Sequence, residues 1–288
     1  MMMRRLFSFS IANRRLLILL TGGWLLWSVA VAGLWFLGRQ LSSPSDWWPA
    51  VFIFAQLFLA VQMLLPALLL EPEQRTRGFY LFWLVVLALL IWAAHQLPAG
   101  GSWEPLLSAL KSGLLLFSGT LVGIILARYV KRLWEVLPLA LVMMLADFSS
   151  WAVGPTADFA RQIEDYYLAP EGPRPLIDMV LVKLTYPGAN GLVPVFGISD
   201  WIIVVFFAAV ARRYRINDNL IGWGSDPMQK DGGRYLPVSV VALFLAIVFA
   251  HAAETFIPAL PLIVLVAVLY YLLWIDRKST RLNSSHYS

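Results

Sequence analysis

Two aspartates sit where aspartates are rare. Asp147 lies within the apolar run Leu133 to Val153, LWEVLPLALVMMLADFSSWAV, and Asp200 within Leu192 to Arg213, LVPVFGISDWIIVVFFAAVARR. A carboxylate at membrane depth is costly, so it persists mainly where it faces a protein interior or a wet cavity and has a task there. Two carboxylates within hydrogen-bond reach in a low dielectric cannot both ionise. They share a proton, and one then acts as base while the other acts as acid. A water held between such a pair can attack a peptide carbonyl. Kept apart, the same two acids would bind an ion, line a proton path or pair with a helix-end base, which is the chemistry of a non-enzymatic carrier or ion-coupled transporter.

The rest of the chain reads as the scaffold that positions them. Of the 288 residues, 60% are hydrophobic and only 14% charged. Mean hydropathy is +0.73. A soluble domain of this size could not cover its surface from that composition, so a polytopic membrane protein is expected. The chain has no cysteine, which excludes disulfides, thiolate nucleophiles and thiolate metal sites. A net charge of +5 does not point to nucleic acid, because the basic residues flank the apolar runs.

Eight apolar runs are long enough for membrane helices: Leu16 to Leu37, Trp48 to Leu70, Phe79 to Ala94, Leu106 to Ala127, Leu133 to Val153, Leu192 to Arg213, Leu236 to Ala253 and Pro258 to Ile275. Ala30-Val31-Ala32 imitates a signal-peptidase site, but the run continues past it, so an uncleaved first helix is expected. Trp47 and Trp48 read as interfacial aromatics, and Lys111 as a side chain snorkelling to the surface. Residues 1–275 form one transmembrane domain on this reading, with 1–132 supplying N-terminal helices and 133–275 the helices that carry the acids. The tail from Asp276 to Ser288, DRKSTRLNSSHYS, has the look of a translated sequencing adapter and is set aside from functional argument.

Basic residues fall on alternate loops: the leader with Arg4, Arg5, Arg14 and Arg15, the Glu71 to Arg77 loop, Arg128 with Lys131 and Arg132, and Arg212 with Arg213 and Arg215. That side is expected to be the cytoplasm, with both ends of the helical part on it. The longest opposite loop, Gly154 to Gly191, carries five acidic and three basic residues. Counted along ideal helices from Val153 and Leu192, Asp147 and Asp200 lie roughly 9 and 12 Å below the outer surface. Gly197, one turn before Asp200, would then permit close helix approach.

A third element joins them at the same face, where Pro258-Ala259-Leu260 opens the last helix. Together, Ala146-Asp147, Gly197-Ile198-Ser199-Asp200 and Pro258-Ala259-Leu260 resemble the motifs of the presenilin and signal peptide peptidase family of intramembrane aspartyl proteases, over about Leu133 to Leu273. That family has a tyrosine-aspartate motif, a glycine-x-glycine-aspartate motif and a proline-alanine-leucine motif, in this order. The resemblance implies an all-α, presenilin-like bundle in which Asp147 and Asp200 are catalytic and Gly197, Ser199, Pro258, Ala259 and Leu260 support the site. It implies no cofactor and no metal. The substrates would be single-span membrane proteins or signal peptides in the bilayer, in the plasma membrane of a prokaryote, with no nucleic-acid partner. The external loop between the two acids resembles signal peptide peptidase rather than presenilin. This chain departs from the family at Ala146, where the family has tyrosine, at Ser199, where it has glycine, and in having four rather than five helices before Asp147. Pro66-Ala67-Leu68 repeats the tripeptide by chance.

Leu176 to Tyr186, LIDMVLVKLTY, is rich in β-branched residues and reads either as a strand to which an unwound substrate could add or as a packed surface loop. His251 and Glu254, one turn apart, could place two metal ligands on one face, which with the aspartates would suit a transporter or metallohydrolase. The alternative is a pair of interfacial polar residues. His95 and His286 suggest no cluster. Gly222, Gly224, Gly232 and Gly233 lack the strand and Lys-Ser/Thr of a phosphate loop and read as turns.

Overall fold

The structure is a computed structural model that describes residues 11–41, 45–65, 76–97, 103–169, 175–221, 234–253 and 258–284. Arg4, Arg5, Pro66-Ala67-Leu68, Glu71, Glu171, Arg174, Gly222, Gly224, Gly232, Gly233, Glu254 and His286 lie outside these residues. The described residues form nine α-helices and one β-hairpin: α1 Ile11–Gly38, α2 Trp48–Leu64, α3 Arg77–His95, α4 Glu104–Tyr129, α5 Val136–Val153, α6 Pro155–Leu168, β1 Leu181–Leu184, β2 Val193–Gly197, α7 Ile198–Arg213, α8 Val238–Ala252 and α9 Ala259–Ser284. Four helical stretches, Arg14–Gly38, Arg77–His95, Glu104–Tyr129 and Leu133–Ala152, are long and apolar enough to cross a bilayer. The chain is thus a mostly helical membrane protein, and four helices precede Asp147 as the sequence suggests.

α4 is the central post. It starts with Glu104 and Pro105 in its first turn and ends with Arg128 in its last, charges that oppose the helix dipole. It packs against α1, α3, β1 and α7. Three glycines on α4 permit the closest of these contacts. A β-carbon on Gly113 would overlap Ser28 and Trp24 of α1, one on Gly119 would overlap Trp201, and one on Gly123 would overlap Val205 and the Ile202 carbonyl of α7. Gly119 and Gly123 form a small-xxx-small pair, the pattern that lets membrane helices meet backbone to backbone. Indole donors fix the azimuth of α1 and α7: Trp24 Nε1 donates to the Leu110 carbonyl at 2.8 Å, and Trp201 Nε1 to Thr120 Oγ1 at 3.1 Å.

Leu192 to Arg213 is not one helix. Val193–Gly197 is a strand, antiparallel to β1, with Leu181 opposite Gly197, Val182 opposite Phe196 and, past a bulge, Lys183 opposite Pro194 and Leu184 opposite Val193. The β-branched Val193 and Val195 and the N–H-less Pro194 favour extended backbone, and Gly197 stays extended at φ −80°, ψ 154° before α7 begins. Of the two readings of Leu176 to Tyr186, the strand holds for Leu181–Leu184, which is β1, and a 3₁₀ turn over Leu176–Val180 precedes it.

This hairpin lies beside an apolar helix, where unpaired backbone groups are costly. Polar side chains on the helices satisfy the outer edge of β1. Ser112 Oγ accepts from the Lys183 N–H at 2.9 Å. Gln56 Oε1 accepts from the Thr185 N–H at 2.9 Å, while Gln56 Nε2 donates to the Thr185 carbonyl at 3.0 Å. No described element pairs with the outer edge of β2, and Pro194 suits such an edge.

Lys111 does not snorkel. It is buried, with Nζ 3.4 Å from Asp178 Oδ2 and 3.3 Å from His95 Nδ1, so His95 belongs to a cluster after all. Asp178 also receives Lys183 Nζ at 2.9 Å and the Tyr167 hydroxyl at 2.9 Å. Burial alone would raise the Asp178 carboxyl, but Lys183 and then Lys111 outweigh it and hold the group below its ordinary value. The cluster ties the hairpin and α6 to α4. Counting loop charges along the sequence misassigned these residues, because the partners of Asp178 lie on separate elements.

Candidate active site

The starts of two helices and the body of a third meet at the aspartates. Asp147 projects from α5, which packs on α9, and α9 packs in turn on α7 and α8. Leu260, in the first turn of α9, directs its backbone N–H at the Asp147 carboxylate. The first N–H groups of a helix have no partner within it, and together they favour a negative charge. Oδ2 of Asp147 is buried without a hydrogen-bond partner.

Asp200, by contrast, lies in the first turn of its own helix, α7. Its Oδ2 accepts from the Gly197 N–H at 3.0 Å, so the third residue of the helix reaches back to the residue that caps it. Asp200 is buried, and the charge of Asp147 reaches it. Two acids from different helices are therefore brought together, each held at a helix N-terminus.

Asp200 is not positioned as ideal helix counting has it. Asp147 does lie six residues before Val153, the end of its helix, but Asp200 is only the third residue of its own. The hairpin, rather than a helical turn, carries the chain into Asp200. Gly197 consequently has a different part from the one expected of it. It is not a helical glycine facing a neighbouring helix; a β-carbon there would stand 3.2 Å from Ser199 Oγ and 3.7 Å from Asp200 Oδ2. The bare α-carbon keeps the space beside the carboxylate open.

Ser199 is exposed beside Asp200, and Ala146 is exposed beside Asp147. Ala259 and Leu260 are buried and Pro258 is half-buried. The site thus gathers Asp147, Asp200, Gly197, Ser199 and the start of α9, with the open edge of β2 leading into Asp200. His251 is exposed and stacks on Tyr186, ring centroids 5.8 Å apart, while Glu254 lies outside the described residues. Among the described residues no three His, Asp or Glu side chains gather around one point as metal ligands would.

Sequence reading missed the supports of this site. Gly119 and Gly123 were legible as a small-xxx-small pair in an apolar helix. Gln56, Ser112 and Thr120 were legible only as polar residues in apolar runs, each too mild an anomaly to name a partner. Comparison with known proteins finds no matching family model, curated protein or solved structure.

Proposed function

We propose that this chain is an intramembrane aspartyl protease that hydrolyses peptide bonds within transmembrane or signal-peptide helices, with Asp147 and Asp200 as its acid and base. The observation that carries the reading is the convergence of Asp147 with Asp200 at the start of α9, where Leu260 addresses one carboxylate and Gly197 the other. Isolated acids of a carrier would not need to meet each other.

In the proposed reaction one carboxylate is ionised and the other protonated. The ionised group takes a proton from a water, whose oxygen attacks the scissile carbonyl carbon, while the protonated group gives its proton to the carbonyl oxygen. The tetrahedral diol then collapses: the C–N bond breaks, the nitrogen leaves with a proton from the acid, and a proton from the diol restores the pair. A helix offers no accessible peptide carbonyl, so the substrate must first unwind. The unpaired edge of β2 supports this step by offering backbone hydrogen bonds to an extended segment next to Asp200. Leu176 to Tyr186 was one candidate for that part, but β1 has its outer edge filled by Gln56 and Ser112, which favours β2 as the acceptor.

Eight membrane crossings complete the proposal: α1 to α5, α7 preceded by the hairpin, α8 and α9, with both ends of the helical part in the cytoplasm of a prokaryote and the hairpin towards the exterior. α6 would then lie at the outer surface. The test is cleavage of a panel of single-span reporters in liposomes. Asp147→Asn and Asp200→Asn should each lower turnover by at least about 10²–10⁴-fold, the usual contribution of an acid or base. The double variant should lose little more, because residues acting as one unit are not additive. Substantial cleavage by either correctly inserted single variant would remove the protease reading, and ion-coupled uptake without cleavage would establish the carrier.

A further inference from the structure

At the end of α7 remote from Asp200, a third buried carboxylate closes a knot of four helices. The chain leaves α7 through Arg215, the one non-glycine residue with a positive φ among those described, at 55°. It then places Asp218 in the interior, 2% exposed. The Tyr235 hydroxyl stands 3.0 and 2.9 Å from the two Asp218 oxygens, within hydrogen-bond reach of both. The Asp218 carbonyl accepts from the Val238 N–H at 3.0 Å, at the start of α8. Asn219 pairs with Pro237, and its Oδ1 accepts from the Leu236 N–H at 3.0 Å. Gln62 of α2 donates to the Tyr235 carbonyl, and the Tyr270 hydroxyl of α9 donates to the Asn217 carbonyl at 2.7 Å.

The charged and titratable groups that face Asp218 are Tyr235 before α8, Arg212 of α7 and Tyr271 of α9; α2 contributes only the neutral Gln62. One tyrosine donor and one arginine make a thin environment for a buried carboxylate. We propose that the Asp218 knot is a proton-operated clasp, closed around the neutral carboxyl and loosened when the carboxylate becomes charged. The catalytic pair makes no use of this site.

Burial pushes the Asp218 carboxyl up to about 7, against the opposing effects of Tyr235 and Arg212. An opened knot would expose the group to water and return it to its ordinary value of 3.8. The closed form therefore holds its proton over a range in which the open form has lost it. The ratio of closed to open is highest below the ordinary value, falls as pH rises, and is lowest above about 7. Across that window it falls roughly a thousandfold, tenfold for each unit between the two values. α7 and α9 are both tied by the clasp, and they carry Asp200 and Leu260 at their other ends. That link to catalysis rests on the protease reading, whereas the clasp itself does not.

The chain has no cysteine, so spin labels can be placed without background. Ile221 and Leu273 are both exposed, at 48% and 61%, one beside the knot and the other on α9. In the full-length Ile221→Cys, Leu273→Cys protein in liposomes, pulsed electron paramagnetic resonance should give one distance distribution at pH 5.5 and a longer or broader one at pH 8.5. Asp218→Asn, which cannot charge, should keep the low-pH distribution at both. Tyr235→Phe removes the donor that favours the carboxylate and should move the transition to higher pH, which keeps the test decisive if the Asn variant does not fold. A distribution that is the same at both pH values, a shift that persists in Asp218→Asn, or a transition that Tyr235→Phe leaves in place would overturn the clasp. The readout requires no proteolysis, so failure here and failure of the protease reading are separate results.

Discussion

Asp147 and Asp200 were legible because a charge in an apolar run is an anomaly visible without any partner. Ser199 was legible only as a departure from a family pattern, and its surroundings give that departure a physical meaning. Its hydroxyl is exposed beside Asp200, and the space it borders is the one left open by the bare α-carbon of Gly197. A side chain that borders an open space can be removed without leaving a cavity. Ser199→Gly is therefore expected to leave the turnover of a single-span reporter unchanged or to raise it by a few fold. A loss of tenfold or more in the liposome assay would mean that the hydroxyl itself contacts the substrate.

At the scale of elements, hydropathy identified the apolar runs and misjudged the shape of one of them. Leu192 to Arg213 is apolar on average, and a window average cannot register that Val193, Pro194 and Val195 favour a strand. It is equally blind to Gln56 and Ser112, whose side chains replace the neighbouring strand that β1 would otherwise need. The same limitation hid Asp178, which looked like one more loop acid and is instead the anion between two buried lysines. Removing its charge takes the shared anion from two buried cations, and Asp178→Asn should destabilise the fold by about 3–5 kcal/mol in thermal unfolding in detergent. The pH dependence follows from the depressed Asp178 carboxyl. Its contribution is fully present above the ordinary value of 3.8 and is lost as pH falls from there through the lower folded value. Between pH 5 and 2 the wild-type unfolding temperature should fall more steeply than that of Asp178→Asn. Parallel curves would mean that the cluster contributes no linkage.

For the whole molecule, alternating basic loops supply a prediction that precedes any assay of activity. A reporter fused after residue 171 should appear outside the cell, and one fused after residue 226 inside. If both report the same side, α5 and α7 cannot be antiparallel crossings. Within the bundle the two acids are supported very unequally. α4, against which the Asp200 helix is locked, has 78% of its most apolar stretch buried, whereas the helix that carries Asp147 has 11%. Most of the surface of α5 is thus left to lipid, and its height relative to α7 depends on where the two bilayer surfaces hold it. In the proposed protease the lipid would then act, beside α9, as one of the walls that align the pair. A bilayer too thin or too thick would tilt or displace α5 at a cost of fractions of a kcal/mol per Å, while the α4–α7 seam stays in register. Reporter turnover in liposomes of increasing acyl-chain length should therefore pass through a maximum, with the unfolding temperature changing little, and the width of that maximum would measure how far the membrane itself sets the geometry of the reaction.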